Sequence, residues 1–129
     1  SARERAEQWF DRALSLETAD PAAAQSAYRR VLELDPCDPA AYANLGRLLH
    51  EAGDLAGAEA VYAQALTHCP PAAPVLYNLA LVLEDLGRPA AAIESYREAL
   101  ACAPNHADAH FNLARLYELG GDLKRAVRH

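Results

Sequence analysis

The sequence predicts an all-α fold of about four short helix-turn-helix units, of which the last is truncated. Three observations support this prediction. Residue types recur at intervals of 34 along the chain, and apolar residues follow the period of roughly 3.6 residues that is typical of a helix. The chain is also 52% hydrophobic but only 7% aromatic, which fits helices that approach closely over small residues.

The 34-residue period appears in five separate columns of the sequence. The columns are Asn44, Asn78 and Asn112; Gly53, Gly87 and Gly121; Ala58, Ala92 and Ala126; Tyr28, Tyr62 and Tyr96; and Pro36, Pro70 and Pro104. Because five columns share one period, we interpret each 34-residue stretch as one copy of a small module.

Each module is predicted to contain two amphipathic helices that a glycine turn separates. In the second module, Leu45, Leu48 and Leu49 form an apolar stripe along one helix. Gly53 can adopt the left-handed conformation that ends this helix, and Asp54 can cap the next one. The helices are expected at roughly 3–17, 21–34, 39–52, 55–68, 73–86, 89–102, 107–119 and 123–129.

The first module is irregular in sequence. Pro21, like Pro89 later in the chain, lies at or near the first position of a helix, where a missing N–H costs nothing. Trp9 and Phe10 do not follow the phase of the later modules, which predicts one inserted residue before Ala24. Terminal repeats of a stack are commonly atypical because they cap it.

On these residues the chain resembles the tetratricopeptide repeat family. That family has small residues at the eighth, twentieth and twenty-seventh positions of its repeat, an aromatic residue at the twenty-fourth and proline at the thirty-second. The matching residues are Gly46, Ala58, Ala65, Tyr62 and Pro70 in the second repeat, and Ala80, Ala92, Ala99, Tyr96 and Pro104 in the third. Leu76 and His110 depart from the pattern, since the family often has a bulky aromatic residue there.

The resemblance implies a right-handed superhelical solenoid that forms a single domain over residues 1–129. Its repeats are expected at roughly 3–36, 39–70, 73–104 and 107–129. It further implies that the chain is a non-catalytic protein-protein interaction scaffold, which binds an extended peptide or a helix of a partner in its concave groove.

The first helix of each repeat is expected to line this groove. The asparagine column would present amides to the ligand main chain, because an amide offers both a donor and an acceptor. Alternatively, each asparagine bonds a neighbouring repeat and holds the helices in register. The candidate groove residues are Asn44, Asn78, Asn112, Arg47, Leu81, Arg115, Tyr77, Phe111, His50 and Glu84.

Two arginines of the expected groove have two open interpretations. Arg47 and Arg115 can hold a ligand carboxylate bidentately, or each can pair with a nearby glutamate on the protein surface. Some members of the family clamp a C-terminal carboxylate with Lys and Arg in the first helix of the third repeat. Pro74 and Asn78 occupy the matching positions here, so that clamp is absent.

Composition and missing motifs argue against several function classes. Twelve basic residues stand against eighteen acidic ones, without a basic cluster, which disfavours nucleic-acid binding by this segment. The sequence contains no run of about 18 apolar residues, and it therefore predicts no membrane span. We find no phosphate-binding loop, nucleophile elbow or His-Glu-x-x-His motif, and therefore expect no enzyme activity, no cofactor and no metal.

The histidines and cysteines are expected to have no catalytic or metal-binding role. His106 and His110 are four residues apart but lack a convincing further ligand, and His106 is expected to be a solvated loop residue. Three cysteines are an odd number at no metal-ligand spacing, which favours reduced thiols and a cytoplasmic location.

Two alternative functions remain open from the sequence. The first is self-assembly: the helix at 123–129 is unfinished, so Leu123 and Val127 would lack a cover and end-to-end association would follow. The second is that the chain is the recognition arm of a larger enzyme or transcriptional regulator. The absence of methionine leads us to expect a fragment of a longer protein, and the excess of arginine over lysine suggests a bacterial source.

Overall fold

The computed structural model describes residues 1–121, and these residues contain seven α-helices and no strand. The helices are α1 (Ala2–Leu16), α2 (Pro21–Leu34), α3 (Pro39–Glu51), α4 (Leu55–His68), α5 (Ala73–Asp85), α6 (Pro89–Cys102) and α7 (Ala107–Leu119). The all-α prediction is therefore confirmed, with helix bounds close to those expected. The eighth helix, expected at 123–129, lies outside the described residues.

The chain divides into two compact units, which we describe separately. Unit 1 is Ser1–Pro70 and contains α1 to α4, and unit 2 begins at Pro71 and contains α5 to α7. In each unit, helices that are consecutive in the sequence pack against each other.

Aspartate caps start three of the helices in unit 1. The carboxylates of Asp20, Asp38 and Asp54 accept a hydrogen bond from the backbone N–H three residues later, at 3.1, 3.2 and 2.8 Å. In unit 2, α6 has no side-chain cap but begins at Pro89, which has no N–H of its own to satisfy.

Glycine ends the first helix of successive repeats. Gly53, Gly87 and Gly121 have φ values of +86°, +73° and +81°, in the left-handed region that favours glycine. After α3, the Asp54 N–H donates to the Leu49 carbonyl at 2.9 Å and satisfies a carbonyl that the helix end would leave unpaired. Glycine thus recurs at the regular step of 34 residues because the backbone of each turn needs a residue with positive φ.

The turn of the first repeat is one residue longer than the other two. It spans residues 17–20, whereas the later turns span 52–54 and 86–88. The turn is longer because α1 ends earlier: Glu17 and Tyr28 are 11 residues apart, whereas the equivalent Glu84 and Tyr96 are 12 apart. The expectation of an inserted residue before Ala24 is therefore wrong, and the first repeat has one residue fewer here. Residues of α1 therefore match those of α3 at a step one residue short of 34, and Asp11 takes the position of Asn44.

Small residues let the paired helices approach closely. Gly46 of α3 lies against Tyr62 of α4, and a Cβ atom on Gly46 would come within 2.2 Å of the tyrosine ring. In unit 2 the equivalent residues, Ala80 and Tyr96, are fully buried in one core cluster. The tyrosine fills the space that the small residue leaves, which explains a well-packed core with few aromatics.

Four large apolar side chains of the described residues are exposed, among them Phe111 and Leu119 of α7. The expected end-to-end contact through Leu123 and Val127 lies outside the described residues. No helix within residues 1–121 is both long and apolar enough to cross a lipid bilayer.

Replacing Gly87 by alanine should lower the free energy of unfolding by about 1–2 kcal/mol, because an L-residue is strained at positive φ. The cost would be conformational, since nothing lies within 4 Å of the added Cβ. Gly120→Ala is the control: its φ of −82° is helical, and we expect a change within about 0.5 kcal/mol. Urea unfolding followed by circular dichroism measures both variants, and equal losses would contradict this account of the turn.

Candidate functional site

The ten candidate groove residues all lie on the first helices of their repeats. In unit 1 these are Asn44, Arg47 and His50 on α3, and in unit 2 they are Tyr77, Asn78, Leu81 and Glu84 on α5 and Phe111, Asn112 and Arg115 on α7. Nine of them are half-buried, and Phe111 is 69% exposed. Phe111 is therefore the one large apolar side chain of this set that faces solvent.

In unit 1 a buried tyrosine and an arginine share one glutamate. The Tyr28 hydroxyl donates to Glu17, and the Arg47 guanidinium contacts the other carboxylate oxygen of Glu17 at 2.6 Å. The Asn44 amide donates to the Tyr28 hydroxyl at 3.2 Å. We call Glu17, Tyr28, Asn44 and Arg47 the unit 1 clamp, because it ties the turn after α1 to α2 and α3.

Unit 2 repeats the tyrosine, glutamate and arginine contacts at equivalent positions, but its asparagine bonds a different tyrosine. The Tyr96 hydroxyl donates to Glu84, and Arg115 contacts the other Glu84 oxygen at 2.6 Å. Asn112 accepts from Arg115 at 3.4 Å and donates to the Tyr77 hydroxyl at 3.2 Å. We call Glu84, Tyr96, Asn112 and Arg115 the unit 2 clamp, and it ties α5, α6 and α7 together.

Burial and pairing fix the charges within both clamps. Burial, and then the hydrogen bond to a glutamate, hold the pKa of the Tyr28 and Tyr96 hydroxyls well above the usual range. The hydrogen bond to Glu84 likewise raises the pKa of Arg115. Both arginines are therefore paired with glutamate, which is one of the two interpretations that the sequence left open.

In the sequence, the clamp residues do not recur at the intermediate step of the 34-residue period. There Leu81 stands where the clamps have arginine, and His50 stands where unit 2 has Glu84. Leu81 packs against the core cluster of unit 2. Within residues 1–121 the side chain of Asn78 makes no hydrogen bond. Asn78 thus differs from Asn44 and Asn112, whose amides are used inside the protein.

The aromatic ring of Tyr77 contacts two other rings. It stacks on His106 at 4.6 Å between centroids and lies 5.8 Å from Tyr96. His106 also caps α7, since its Nδ1 accepts the Ala109 N–H at 3.1 Å. The expectation of a solvated His106 is therefore wrong. Its position directly before a helix was the sequence signal for a cap.

The described residues contain no group of three or more metal-ligating side chains that could hold a metal ion. The Nε2 atom of His110 lies 2.7 Å from the Pro104 carbonyl oxygen. Of the three cysteines, Cys37 and Cys102 are exposed and Cys69 is buried. Burial, and then its contact with Cys37, raise the pKa of the Cys69 thiol to about 12.

Cys69 should react with Ellman's reagent at least about tenfold more slowly than Cys37 and Cys102, because the thiolate is the reactive form. The readout is the time course of thiol release near neutral pH, which should show two fast thiols and one slow one. In urea all three thiols should react alike. A fast reaction of Cys69 in the folded Cys37→Ser/Cys102→Ser variant would contradict its burial.

Glu84→Gln should lower the free energy of unfolding by about 1–2 kcal/mol, since it removes the charge that Arg115 and Tyr96 share in a half-buried place. Glu33→Gln is the matched control. Glu33 pairs with Arg30 in solvent, with both side chains more than half exposed, and its loss should cost less than about 0.5 kcal/mol. Urea unfolding that gave the same change for both variants would show that the clamp adds no stability.

Solved structures with a similar fold span nearly the whole chain. MamA has a TM-score of 0.82 and 24% identity, over 97% of this chain and 69% of that one. PilF of Pseudomonas aeruginosa has a TM-score of 0.85 and 22% identity, over 95% and 57%. The first TPR of Spaghetti (RPAP3), bound to the HSP90 peptide SRMEEVD, has a TM-score of 0.84 and 16% identity, over 92% and 94%. At these identities the likeness shows the fold.

The sequence comparison assigns the family. A family profile described as tetratricopeptide repeat matches residues 16–74 and 77–128, which together are most of the chain. Among curated proteins, the sequence search finds no match. The glycine turns, the buried tyrosines and the small residues at the helix crossings described above agree with this profile, and the chain belongs to the tetratricopeptide repeat family.

Proposed function

We propose that the chain is a protein-interaction scaffold, which binds a peptide segment of a partner on the surface that α5 and α7 form in unit 2. The exposure of Phe111 carries this proposal. Phe111 is 69% exposed and directly precedes Asn112, which the unit 2 clamp holds in place. A large apolar side chain in water on a rigid helix is a surface that a ligand side chain can cover.

Asn78 supplies the polar contact of the proposed surface. It occupies in α5 the position that Asn112 occupies in α7, and its amide makes no hydrogen bond within the described residues. An unused amide can donate to and accept from the main chain of an extended peptide. We therefore assign the main-chain contact to Asn78, and a supporting role to Asn112.

The paired arginine limits what the ligand can be. Arg115 already contacts Glu84 at 2.6 Å, so a ligand carboxylate would have to displace an internal partner. Spaghetti (RPAP3) shows a peptide bound to a related fold. In this chain, Pro74 and Asn78 replace the basic residues of the family's carboxylate clamp. We therefore propose an internal peptide segment as the ligand, in place of a C-terminal carboxylate.

The unit 2 clamp supports binding by preorganisation. Asn112, Arg115 and Glu84 fix α7 against α5 before a ligand arrives, so binding does not have to order these side chains. In unit 1, Asn44 and Arg47 have equivalent contacts in their own clamp. They remain candidates for ligand contact on α3, with a structural role as well.

Asn78→Ala should weaken peptide binding by about threefold to tenfold, since it removes the proposed main-chain hydrogen bond. The ligands would be peptides selected from a displayed random library on the intact chain, with affinities measured by isothermal titration calorimetry. Asn105→Ala is the matched control, because Asn105 is an exposed asparagine outside the column. Its affinity should equal that of the wild type.

Phe111→Ser should weaken binding of the same peptides without loss of helix content. Phe111 is exposed, so its ring makes few contacts within the fold. A selected peptide with one N-methylated backbone amide at the contact should lose affinity for the wild type but not for Asn78→Ala. Unchanged affinity of both variants for every selected peptide would refute the proposed surface.

A further inference from the structure

Unit 1 contains a cleft that none of the groove residues line. Helix α1 and the segment that joins α2 to α3 border an open cleft of about 730 Å³. Phe10 and Leu34 are the large apolar residues that line it, and Ala6 and Ala40 are the small ones. We call this the α1 cleft. Its volume is in the range of pockets that hold a ligand or a few side chains.

The aromatic part of the α1 cleft is fixed in position. The ring of Phe10 meets the ring of Tyr28 edge to face, at 5.5 Å between centroids and an angle of 74°. Tyr28 is fully buried and belongs to the unit 1 clamp. Phe10 itself is half-buried, so part of its ring remains accessible from the cleft.

Carboxylates are the most frequent charged groups among the residues that line the cleft. The cleft is lined by four of them, from Glu7, Asp11, Asp35 and Asp38, and by one guanidinium, from Arg3. Arg3 contacts Glu7 at 3.5 Å, but both side chains are more than two thirds exposed, so this pair is easily separated. The lining therefore has a net negative charge.

Two of these carboxylates are held in place by the backbone. One oxygen of Asp35 accepts the Cys37 N–H and one oxygen of Asp38 accepts the Ala41 N–H, each at 3.2 Å. Each of these bonds uses one oxygen and leaves the other to accept a further hydrogen bond. The carboxylates thus present oriented acceptors beside an apolar surface.

The wider charge distribution favours the same ligand. Residues 1–70 contain six basic and eleven acidic side chains, so unit 1 has a net charge of −5 out of the −6 of the whole chain. A field of one sign raises the local concentration of oppositely charged partners and speeds their association. Anionic ligands such as nucleic acid are disfavoured at this surface.

We propose that the α1 cleft binds a basic segment of a partner protein, with lysine or arginine side chains at Asp11 and Asp35 and an aliphatic side chain on Phe10. A cation alone would leave the aromatic surface uncovered, and an apolar segment would leave the carboxylates without partners. This inference goes beyond the proposed function, because it concerns other residues and holds whether or not Asn78 binds a peptide.

The test uses a fluorescein-labelled peptide of alternating lysine and leucine, capped at both ends, and fluorescence anisotropy with the intact chain. Asp11→Asn/Asp35→Asn should weaken binding about tenfold, and added salt should weaken binding to the wild type. Ala40→Arg should also weaken binding, because it places a bulky cation in the cleft at an exposed position. Circular dichroism checks that each variant is folded.

Glu94→Gln/Glu98→Gln is the matched control, since it removes the same charge from exposed positions of α6 in unit 2. It should bind the peptide as tightly as the wild type does. The proposal is overturned if the control weakens binding as much as the cleft variant, because the attraction is then only that of net charge. It is also overturned if the wild type does not bind the peptide, or binds an equivalent peptide of alternating glutamate and leucine equally well.

Discussion

The hydrogen bond from a buried tyrosine hydroxyl to a half-buried glutamate is the contact on which the rest of the structure depends. Tyr28 and Tyr96 are fully buried, and their hydroxyls require an acceptor inside the protein. Glu17 and Glu84 provide it, and the charge of each glutamate is balanced by an arginine from the following repeat. In both clamps, one polar group at the end of a core residue is thus connected through a glutamate to the first helix of the next repeat.

The sequence predicted those features that local chemistry decides. The turn at Gly87 and the cap at Asp54 follow from residue type and position alone, and the structure has both. Contacts between distant residues were not predictable in the same way. The role of Glu17 was hidden because the first repeat has one residue fewer between Glu17 and Tyr28, which moves Glu17 out of phase. The ring contact of His106 was missed because it is made to Tyr77 of another helix.

The sequence predicted the positions of the candidate site residues but not the hydrogen-bond partners of their side chains. The period placed Asn112 and Arg115 on one helix face, but it did not decide between a ligand and an internal contact. The structure gives both of these side chains internal partners, whereas Asn78 has none within residues 1–121. The α1 cleft was not predicted at all, because it forms where α1 meets a segment that follows α2. We propose that peptide recognition in unit 2 depends on Phe111 and Asn78. The proposed recognition of a basic segment is confined to unit 1.

A double-mutant cycle in unit 2 tests the central claim most directly. Tyr96→Phe and Arg115→Met remove the two groups that contact Glu84, singly and together, and urea unfolding gives the free energy of each variant. Because both groups share one carboxylate, we predict a coupling energy of about 1 kcal/mol or more between the two substitutions. Additive effects, with a coupling energy near zero, would contradict the claim that the tyrosine, the glutamate and the arginine act as one unit.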